Sequence, residues 1–145
     1  MRLTTFSDYT LRVLIYLALE QKRLATIPAI ANAYGVSENH LKKVVHQLAQ
    51  AGVVDTIRGK GGGLRLARPP DEIRLGEIVR AAEGAAPIVE CLGEESGACC
   101  IAPACRLSGI LARAFAALYD VLDEYTLADL AGNNRALKQV LFTRK

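Results

Sequence analysis

The sequence contains no cysteine over residues 1–90 and none over residues 106–145, so all four of its thiols lie in one intervening stretch. Thiols that serve only as small apolar side chains would be distributed among the hydrophobic segments instead. The stretch contains glycine and proline, which predicts a loop in which several sulfurs can converge on one centre. We therefore expect a sensor site there, and its candidate residues are Cys91, Cys99, Cys100 and Cys105.

The sequence also lacks a hydrophobic run long enough to cross a membrane and any segment that resembles a signal peptide. We expect a cytoplasmic protein in a reducing compartment, where clustered cysteine favours metal or redox chemistry over structural disulfides. With 145 residues, of which 51% are hydrophobic, the chain can form a packed core as one compact domain or as one small domain with an appendage.

Histidine is scarce, because the chain has only His40 and His46, and both fall in one predicted helix. No nucleophile can be paired with a base from this set, so we expect that the protein is not an enzyme. The same scarcity leaves the cysteine loop without a suitable histidine. A carboxylate must therefore be considered as the ligand if a metal in that loop requires one other than thiolate.

Acidic residues are nearly absent between residues 42 and 68, where only Asp55 opposes six basic side chains. Residues 69–95 have the opposite balance, with seven acidic side chains against two arginines, although the net charge of the whole chain is only +3. A basic segment followed by an acidic one is typical of a polyanion-binding surface with a separate site behind it.

A helix-turn-helix is predicted in the first third of the chain, after a first helix over residues 7–20 that Ser7 or Asp8 can cap. The first of the two helices in the helix-turn-helix begins with Thr26 as the cap and proline in the first turn, and it ends at Gly35. A tight turn at residues 34–37 leads into the second helix. That helix would place its first residues in the major groove of DNA.

A β-hairpin is predicted directly after these helices, because β-prone residues 53–57 and 64–67 flank a basic, glycine-rich tip. The glycine run is not a phosphate-binding loop, since no lysine followed by serine or threonine ends it and a strand comes next. A hairpin in this place is typical of a wing, whose glycines let the backbone approach a phosphate or the minor groove.

The order of these elements predicts a winged helix-turn-helix DNA-binding region over residues 1–84. Each element alone is ambiguous, since a glycine-rich turn is often only a turn and adjacent lysines can be a solvated helix face. In sequence order they are far more specific. The candidate DNA-binding residues are Ser37, Asn39, His40, Lys42, Lys43, Arg58, Lys60 and Arg65.

The second half of the chain is predicted to consist of the cysteine loop, residues 85–105, and a dimerisation region, residues 106–145. Apolar side chains recur at helical spacing from residue 106 for about five turns, which predicts a helix with more apolar surface than so small a domain can cover. We expect this helix to pair two subunits, and the helix after Asn134 to pack on the dimer core. The expected fold class is mainly α.

The cysteine spacing favours an iron–sulfur cluster over structural zinc, because it lacks paired Cys-x-x-Cys knuckles. Cys99 and Cys100 are adjacent, so their side chains diverge and only one of them is expected to bind the same centre as Cys91 and Cys105. The spacing leaves open which of the two binds. The competing interpretation is a thiol-redox regulator without metal, in which one of this pair forms a disulfide with Cys91 or Cys105.

Motifs in both halves of the chain resemble the NsrR family of nitric-oxide-sensing repressors, which are winged-helix dimers related to the IscR regulators. The matching segments are residues 3–12, 34–41, 58–66, 103–107 and 125–130. This resemblance implies a transcriptional repressor that releases operator DNA when nitric oxide attacks an iron–sulfur cluster. It implies a 4Fe–4S cluster, with 2Fe–2S as the alternative.

The resemblance also implies which residues would bind the cluster. The family's three cysteines match Cys91, Cys99 and Cys105, so Cys100 is expected to be a bystander. The IscR branch places a histidine three residues after the last cysteine, where this chain has Ser108, and this difference favours the NsrR branch. In NsrR an aspartate near the start of the first helix, donated by the other subunit, completes the site, and that position matches Asp8.

Overall fold

Seven α-helices and one two-stranded sheet form the regular structure of residues 2–84, 89–93, 99–132 and 134–143, the residues that this computed structural model describes. Strands β1 (Val54–Ile57) and β2 (Gly63–Leu66) precede the fourth helix. None of the helices in this part of the chain has the length and apolar character needed to cross a membrane. The helices are α1 (Thr5–Leu19), α2 (Ile27–Tyr34), α3 (Glu38–Gln50), α4 (Leu75–Glu83), α5 (Leu107–Asp123), α6 (Leu127–Ala131) and α7 (Arg135–Phe142).

The predicted helix-turn-helix is present as α2 and α3. The hydroxyl oxygen of Thr26 accepts a hydrogen bond from the backbone N–H of Ala29 at 3.3 Å, and a proline lies in the first turn. Gly35 ends α2 with a φ of 65°, a left-handed conformation that favours glycine. Helix α3 then buries one face in the core and leaves the opposite face exposed; the buried residues are Leu41, Val44, Val45 and Leu48.

The predicted wing is also present, as an antiparallel hairpin in which Val54 pairs with Leu66 and Ile57 with Gly63. Leu64 makes two further backbone hydrogen bonds, of 3.0 and 2.7 Å, to Ala25 immediately before α2. The hairpin is therefore fixed to the helix-turn-helix through its backbone, and the direction of its tip is set by the same core.

Helix α1 lies at the centre of that core. Val13 and Leu14 are fully buried, and α1 packs against α3, α4, α6 and β2. It begins two residues earlier than the sequence predicted because Thr4 is its cap: the Thr4 hydroxyl accepts a hydrogen bond from the backbone N–H of Ser7 at 3.2 Å. The prediction that Ser7 or Asp8 caps this helix is wrong, since both residues lie inside it.

The buried hydroxyl of Ser7 instead ties α1 to the last residue of α4. It donates a hydrogen bond to the Glu83 carboxylate, which also accepts one from the Thr4 backbone N–H at 2.8 Å and one from the Thr4 hydroxyl at 3.0 Å. Burial acts to raise the pKa of Glu83, but the three hydrogen bonds outweigh it and lower that pKa. This contact among Thr4, Ser7 and Glu83, the Glu83 latch, holds the start of α1 against the end of α4.

Helix α5 is long, as predicted, but none of its 17 residues is buried. Helices α6 and α7 return to the core: Leu127 is fully buried and Leu141 is 6% exposed. The ring of Phe142 meets that of Tyr16 edge-on, with centroids 5.0 Å apart. Helix α7 therefore packs on the DNA-binding region of its own chain, and its expected packing on a dimer core stays a prediction.

Replacing Ser7 with alanine should lower the free energy of unfolding by about 1.5 kcal/mol, because it removes one buried hydrogen bond to a charged carboxylate. Urea unfolding at neutral pH measures this difference. Ser37→Ala is the matched control, since Ser37 is exposed and makes no side-chain cap hydrogen bond. Equal losses in the two variants would contradict a stabilising role for the Glu83 latch.

The difference in the free energy of unfolding between wild type and Ser7→Ala should decrease as the pH falls. The pKa of Glu83 is lower in the folded protein than its ordinary value of 4.5, so the latch contributes its full stability above that value. Its contribution is lost as the pH falls through the lower, folded pKa. The difference between wild type and Ser7→Ala should therefore shrink in acid, and a difference that grows below pH 4.5 would be evidence against this interpretation.

Candidate functional site

The exposed face of α3 presents most of the predicted DNA-binding side chains together. Ser37 precedes the helix in an extended conformation and makes no side-chain cap hydrogen bond. The exposed residues of this face are Ser37, Asn39, His40, Lys42 and Lys43. Because the opposite face is fixed in the core, these side chains project from one rigid surface.

His40 has a neighbour that the sequence did not reveal. Its ring lies 5.9 Å from the ring of Tyr9 on α1, measured between centroids. A groove of about 270 Å³ runs between the two helices at this point, with Thr5 and Lys43 among its lining residues. The orientation of a predicted base-reading side chain is therefore set in part by α1.

The wing presents two of its three predicted basic side chains without an ion pair, among the residues that the structure describes. Arg58 and Lys60 are exposed at the tip, whereas the Arg65 Nε lies 3.2 Å from the carboxylate of Asp55, its partner across the hairpin. A phosphate would have to compete with Asp55 for Arg65. We therefore expect Arg65 to contribute less to DNA binding than Arg58.

The wing glycines are explained by the turn itself. Gly59 and Gly61 have φ values of 98° and 80°. A Cβ on Gly62 would overlap the carbonyl oxygen of Ile57. The hairpin could not turn as tightly with other residues at these positions, so close approach to DNA is not needed to account for them.

The cysteine loop follows α4, and its described parts place three of the four thiols in similar environments. Cys91 lies in the 3-10 turn Glu90–Leu92, which packs against α5, and Cys99 and Cys105 flank the 3-10 turn Ala102–Ala104. These three are half-buried, whereas Cys100 is exposed, and all four are free thiols. The predicted divergence of Cys99 and Cys100 agrees with their different exposure.

The described residues do not bring the predicted metal ligands together. Among them, no group of three or more histidine, cysteine, aspartate or glutamate side chains is close enough to hold a metal ion. Residues 94–98, between Cys91 and Cys99, lie outside the described part. Asp8 belongs to the surface of α1, and no described contact joins it to the loop of its own chain.

Asp8 is paired within its own helix. Its carboxylate lies 2.9 Å from Arg12 and accepts a second hydrogen bond from the Arg12 Nε at 3.0 Å, while its side chain is 47% exposed. The Arg12 guanidinium also lies 5.9 Å from the ring centroid of Tyr9 and 5.8 Å from that of Tyr34. Burial raises the pKa of Tyr34 to about 12, although the positive charge of Arg12 acts to lower it, so the hydroxyl stays protonated.

Two contacts near the site escaped the sequence analysis, the Glu83 latch and an ion pair between Arg80 and Asp123. Each joins residues far apart in the chain, and neither has a local sequence signal. The Arg80–Asp123 pair joins α4 to the far end of α5. The described site thus combines a basic surface on α3 and the wing, a loop of half-buried thiols that contacts α5, and contacts that join α4 to α1 and to α5.

Known proteins are similar to this chain in sequence and in fold. Residues 3–133 match the Rrf2 family, described as an iron-dependent transcriptional regulator. An HTH-type transcriptional regulator NsrR from Shouchella clausii is 45% identical, over 97% of this chain and 95% of that protein. The solved structure of CymR, the global cysteine regulator of B. subtilis, has a TM-score of 0.72 and 34% identity, covering 90% of this chain and 96% of that one.

A third similar protein is IscR from T. potens, whose solved structure has a TM-score of 0.75 and 25% identity, covering 95% of this chain and 91% of that one. These similarities confirm the winged-helix class and the predicted resemblance to NsrR. The relatives are named as transcriptional regulators, not as enzymes. The chain therefore belongs to the Rrf2 family of transcriptional regulators.

Proposed function

We propose that this protein is a homodimeric repressor that binds operator DNA, carries an iron–sulfur cluster and releases the DNA when nitric oxide reaches that cluster. The observation that carries the proposal is the group of three half-buried cysteines, Cys91, Cys99 and Cys105, in one loop between the DNA-binding region and the exposed helix α5. The similarity to NsrR over nearly the whole chain supports it.

The DNA-binding part of the proposal is supported by how the basic side chains divide between α3 and the wing. Helix α3 would enter the major groove, where Ser37, Asn39 and His40 at its first turn meet base edges. Lys42, Lys43, Arg58 and Lys60 would bind phosphates, which fix orientation and affinity without reading the sequence.

The dimer is supported by the surface of α5. Four large apolar side chains on or just after this helix are each about half exposed or more, and they are Leu107 (57%), Ile110 (60%), Val121 (52%) and Tyr125 (48%). An apolar face of this length is costly in water, and a second copy of the same helix would cover it under two-fold symmetry. Two recognition helices related in this way suit half-sites about 34 Å apart.

The donor set fits an iron–sulfur cluster chemically. Three thiols of one loop provide the soft ligands that such clusters need, and they leave one coordination position for a ligand of another kind. We assign Cys91, Cys99 and Cys105 to the thiolate positions and Asp8 of the partner subunit to the remaining one. A 4Fe–4S cluster is the proposed form, with 2Fe–2S as the alternative.

Asp8 suits the remaining position because it has no structural duty at the helix end. Thr4 caps α1, and the Asp8 carboxylate is half exposed with its described contacts confined to Arg12. An exposed pair of this kind is worth little to stability, so the carboxylate can exchange Arg12 for another partner at small cost.

The chain's own contacts suggest how such an exchange would reach the DNA. When bound, the cluster supplies the iron that nitric oxide attacks. Arg12 lies against Tyr9 and Tyr34, Tyr9 contacts His40, and Tyr34 ends the first helix of the helix-turn-helix. Moving Asp8 away from Arg12 or back to it would therefore shift the recognition helix between two arrangements, each with a different affinity for DNA.

A second candidate function is a thiol-redox regulator without metal, and it is favoured by the exposed thiol of Cys100 and by the similarity to CymR. Two thiols would form a disulfide by giving up two electrons and two protons to an oxidant such as a peroxide. Iron content and visible absorption of the anaerobically purified protein distinguish the two functions, because only the first requires a coloured, iron-containing protein.

Changing Cys91, Cys99 or Cys105 singly to alanine should abolish the visible absorption and the bound iron, because two thiolates no longer hold the cluster. Cys100→Ala is the matched control and should retain both. The measurement is the iron content and the absorption spectrum of anaerobically purified protein. Retention of iron by Cys99→Ala, together with its loss in Cys100→Ala, would show that the thiolate assignment is reversed.

Substitutions on the DNA surface should separate into two classes. Lys43→Ala and Lys60→Ala should weaken all DNA sequences alike and reduce the salt slope by about 0.9 for each lost phosphate contact. His40→Ala should instead change base preference, by about 1–3 kcal/mol at one position. Arg65→Ala should weaken binding less than Arg58→Ala because Arg65 is already paired. Titrations at several salt concentrations test this division, and a base-specific effect of Lys60→Ala would break it.

Nitric oxide should lower the operator affinity of the anaerobic, iron-loaded protein and leave that of the iron-free protein unchanged. Asp8→Ala should retain its iron, since three thiolates remain, but should show an altered spectrum and weaker DNA binding. Arg12→Ala is the comparison, because it breaks the same ion pair without removing the carboxylate. An unaltered spectrum in Asp8→Ala would argue against Asp8 as a ligand. The role of Asp8 would then be limited to its ion pair with Arg12.

A further inference from the structure

Helix α5 is joined to the described DNA-binding region mainly at its C-terminal end. Immediately after the helix, the Tyr125 carbonyl accepts a hydrogen bond from the Leu75 N–H at 3.0 Å, and the Leu127 N–H donates to the Ile73 carbonyl at 2.9 Å. These bonds form an isolated antiparallel bridge between the chain just before α4 and the chain just after α5. The start of α4 and the end of α5 are therefore held side by side. Toward its N-terminal end α5 exposes Leu107 and Ile110.

Side chains reinforce this junction. The Arg80 guanidinium donates hydrogen bonds to both carboxylate oxygens of Asp123, one of them at 3.0 Å, and lies 4.7 Å from the ring centroid of Tyr119. Arg74 donates to the Asp123 carbonyl at 2.7 Å. We call these contacts among Arg74, Arg80, Tyr119 and Asp123 the Asp123 clasp.

The packing at this point leaves the clasp little freedom. Gly76 lies in the first turn of α4, and a Cβ placed on it would overlap the Asp123 carboxylate. The hydrogen bond from Arg80 lowers the pKa of Asp123, so the carboxylate is ionised at neutral pH. Two parallel N–H···O bonds between a guanidinium and a carboxylate also fix an orientation, which a single contact between point charges does not.

A small rotation at the clasp has a large effect at the other end of α5. A helix of 17 residues is about 25 Å long, so a tilt of about 10° moves its far end by about 4 Å. One base-pair step is about 3.4 Å. If two α5 helices join the subunits, a tilt of this size at the clasp changes the distance between the two recognition helices by about one base-pair step.

We propose that the Asp123 clasp determines which half-site spacing the dimer accepts, with Arg80 and Asp123 as positioning residues. The inference rests on the proposed function, because it requires that α5 pairs two DNA-binding regions. The clasp fixes the angle between α5 and α4, and α4 is held to α1 by the Glu83 latch. Neither residue of the pair needs to touch DNA for this role.

The prediction concerns specificity and not overall stability. Arg80 and Asp123 are partly exposed, so their ion pair adds little to the free energy of folding. Without the clasp the backbone bridge still joins the two helices, but the angle between them is less restricted. A clasp variant should therefore bind a single half-site as the wild type does and tolerate misspaced pairs of half-sites better.

The test uses a palindrome selected from random-sequence DNA by the wild-type protein, together with versions in which one base pair is inserted or removed at its centre. The measured quantity is the ratio of dissociation constants for the misspaced and the original palindrome. Asp123→Asn should reduce this ratio about threefold or more. Its affinity for a duplex with one half-site should stay within about twofold of wild type.

Glu124→Gln is the matched control, because it removes the same charge from the neighbouring exposed position and should leave the ratio unchanged. Arg80→Lys keeps the positive charge but loses the two-bond geometry, so it should act as Asp123→Asn does. Sedimentation should show the same dimer in every variant. An unchanged ratio in Asp123→Asn, or an equal loss in Glu124→Gln, would overturn the inference.

The proposed function can fail separately in the same experiment. A wild-type protein that selects no palindrome would refute the homodimeric repressor itself, and this inference with it. If the wild-type protein selects a palindrome and discriminates between spacings, and Asp123→Asn discriminates equally well, only the role of the clasp is refuted.

Discussion

The burial of helix α1 is the constraint on which the rest of the structure depends. Val13 and Leu14 are completely excluded from solvent, and α1 packs against the recognition helix, the wing, α4 and α6. Protein interiors are close-packed, so a helix in this position cannot move without moving its neighbours. Each element of the DNA-facing surface is therefore placed by α1 as well as by its contacts with its neighbours in sequence.

The start of α1 is where this rigid centre meets the proposed sensor. The Glu83 latch holds the cap and first turn of α1 against the end of α4, and the chain enters the cysteine loop immediately after that point. Asp8 lies in the same first turn and is followed by Tyr9, whose ring contacts that of His40. A change in what Asp8 binds therefore acts on the element that already positions the recognition helix.

Sequence alone predicted the parts of the fold that local chemistry specifies. Thr26 and Gly35 bound α2 because a cap and a left-handed glycine act within a few residues. The Glu83 latch and the Asp123 clasp were not predicted, because 76 residues separate Ser7 from Glu83 and 43 separate Arg80 from Asp123. The start of α1 was misplaced because Thr4 and Ser7 are both acceptable caps, and only the fold selects between them.

The same limit explains which part of the site could be assigned. Clustering predicted the cysteine loop as a site, and the order of the elements predicted the DNA surface, but neither shows how the two are joined. Helix α5 supplies that connection: its apolar face extends from Leu107, two residues after Cys105, to Val121 beside the clasp. A partner that covers this face must also approach the loop. A loop at such a junction could receive a ligand from a second subunit. The proposed shared site and the proposed dimer would then be parts of one arrangement.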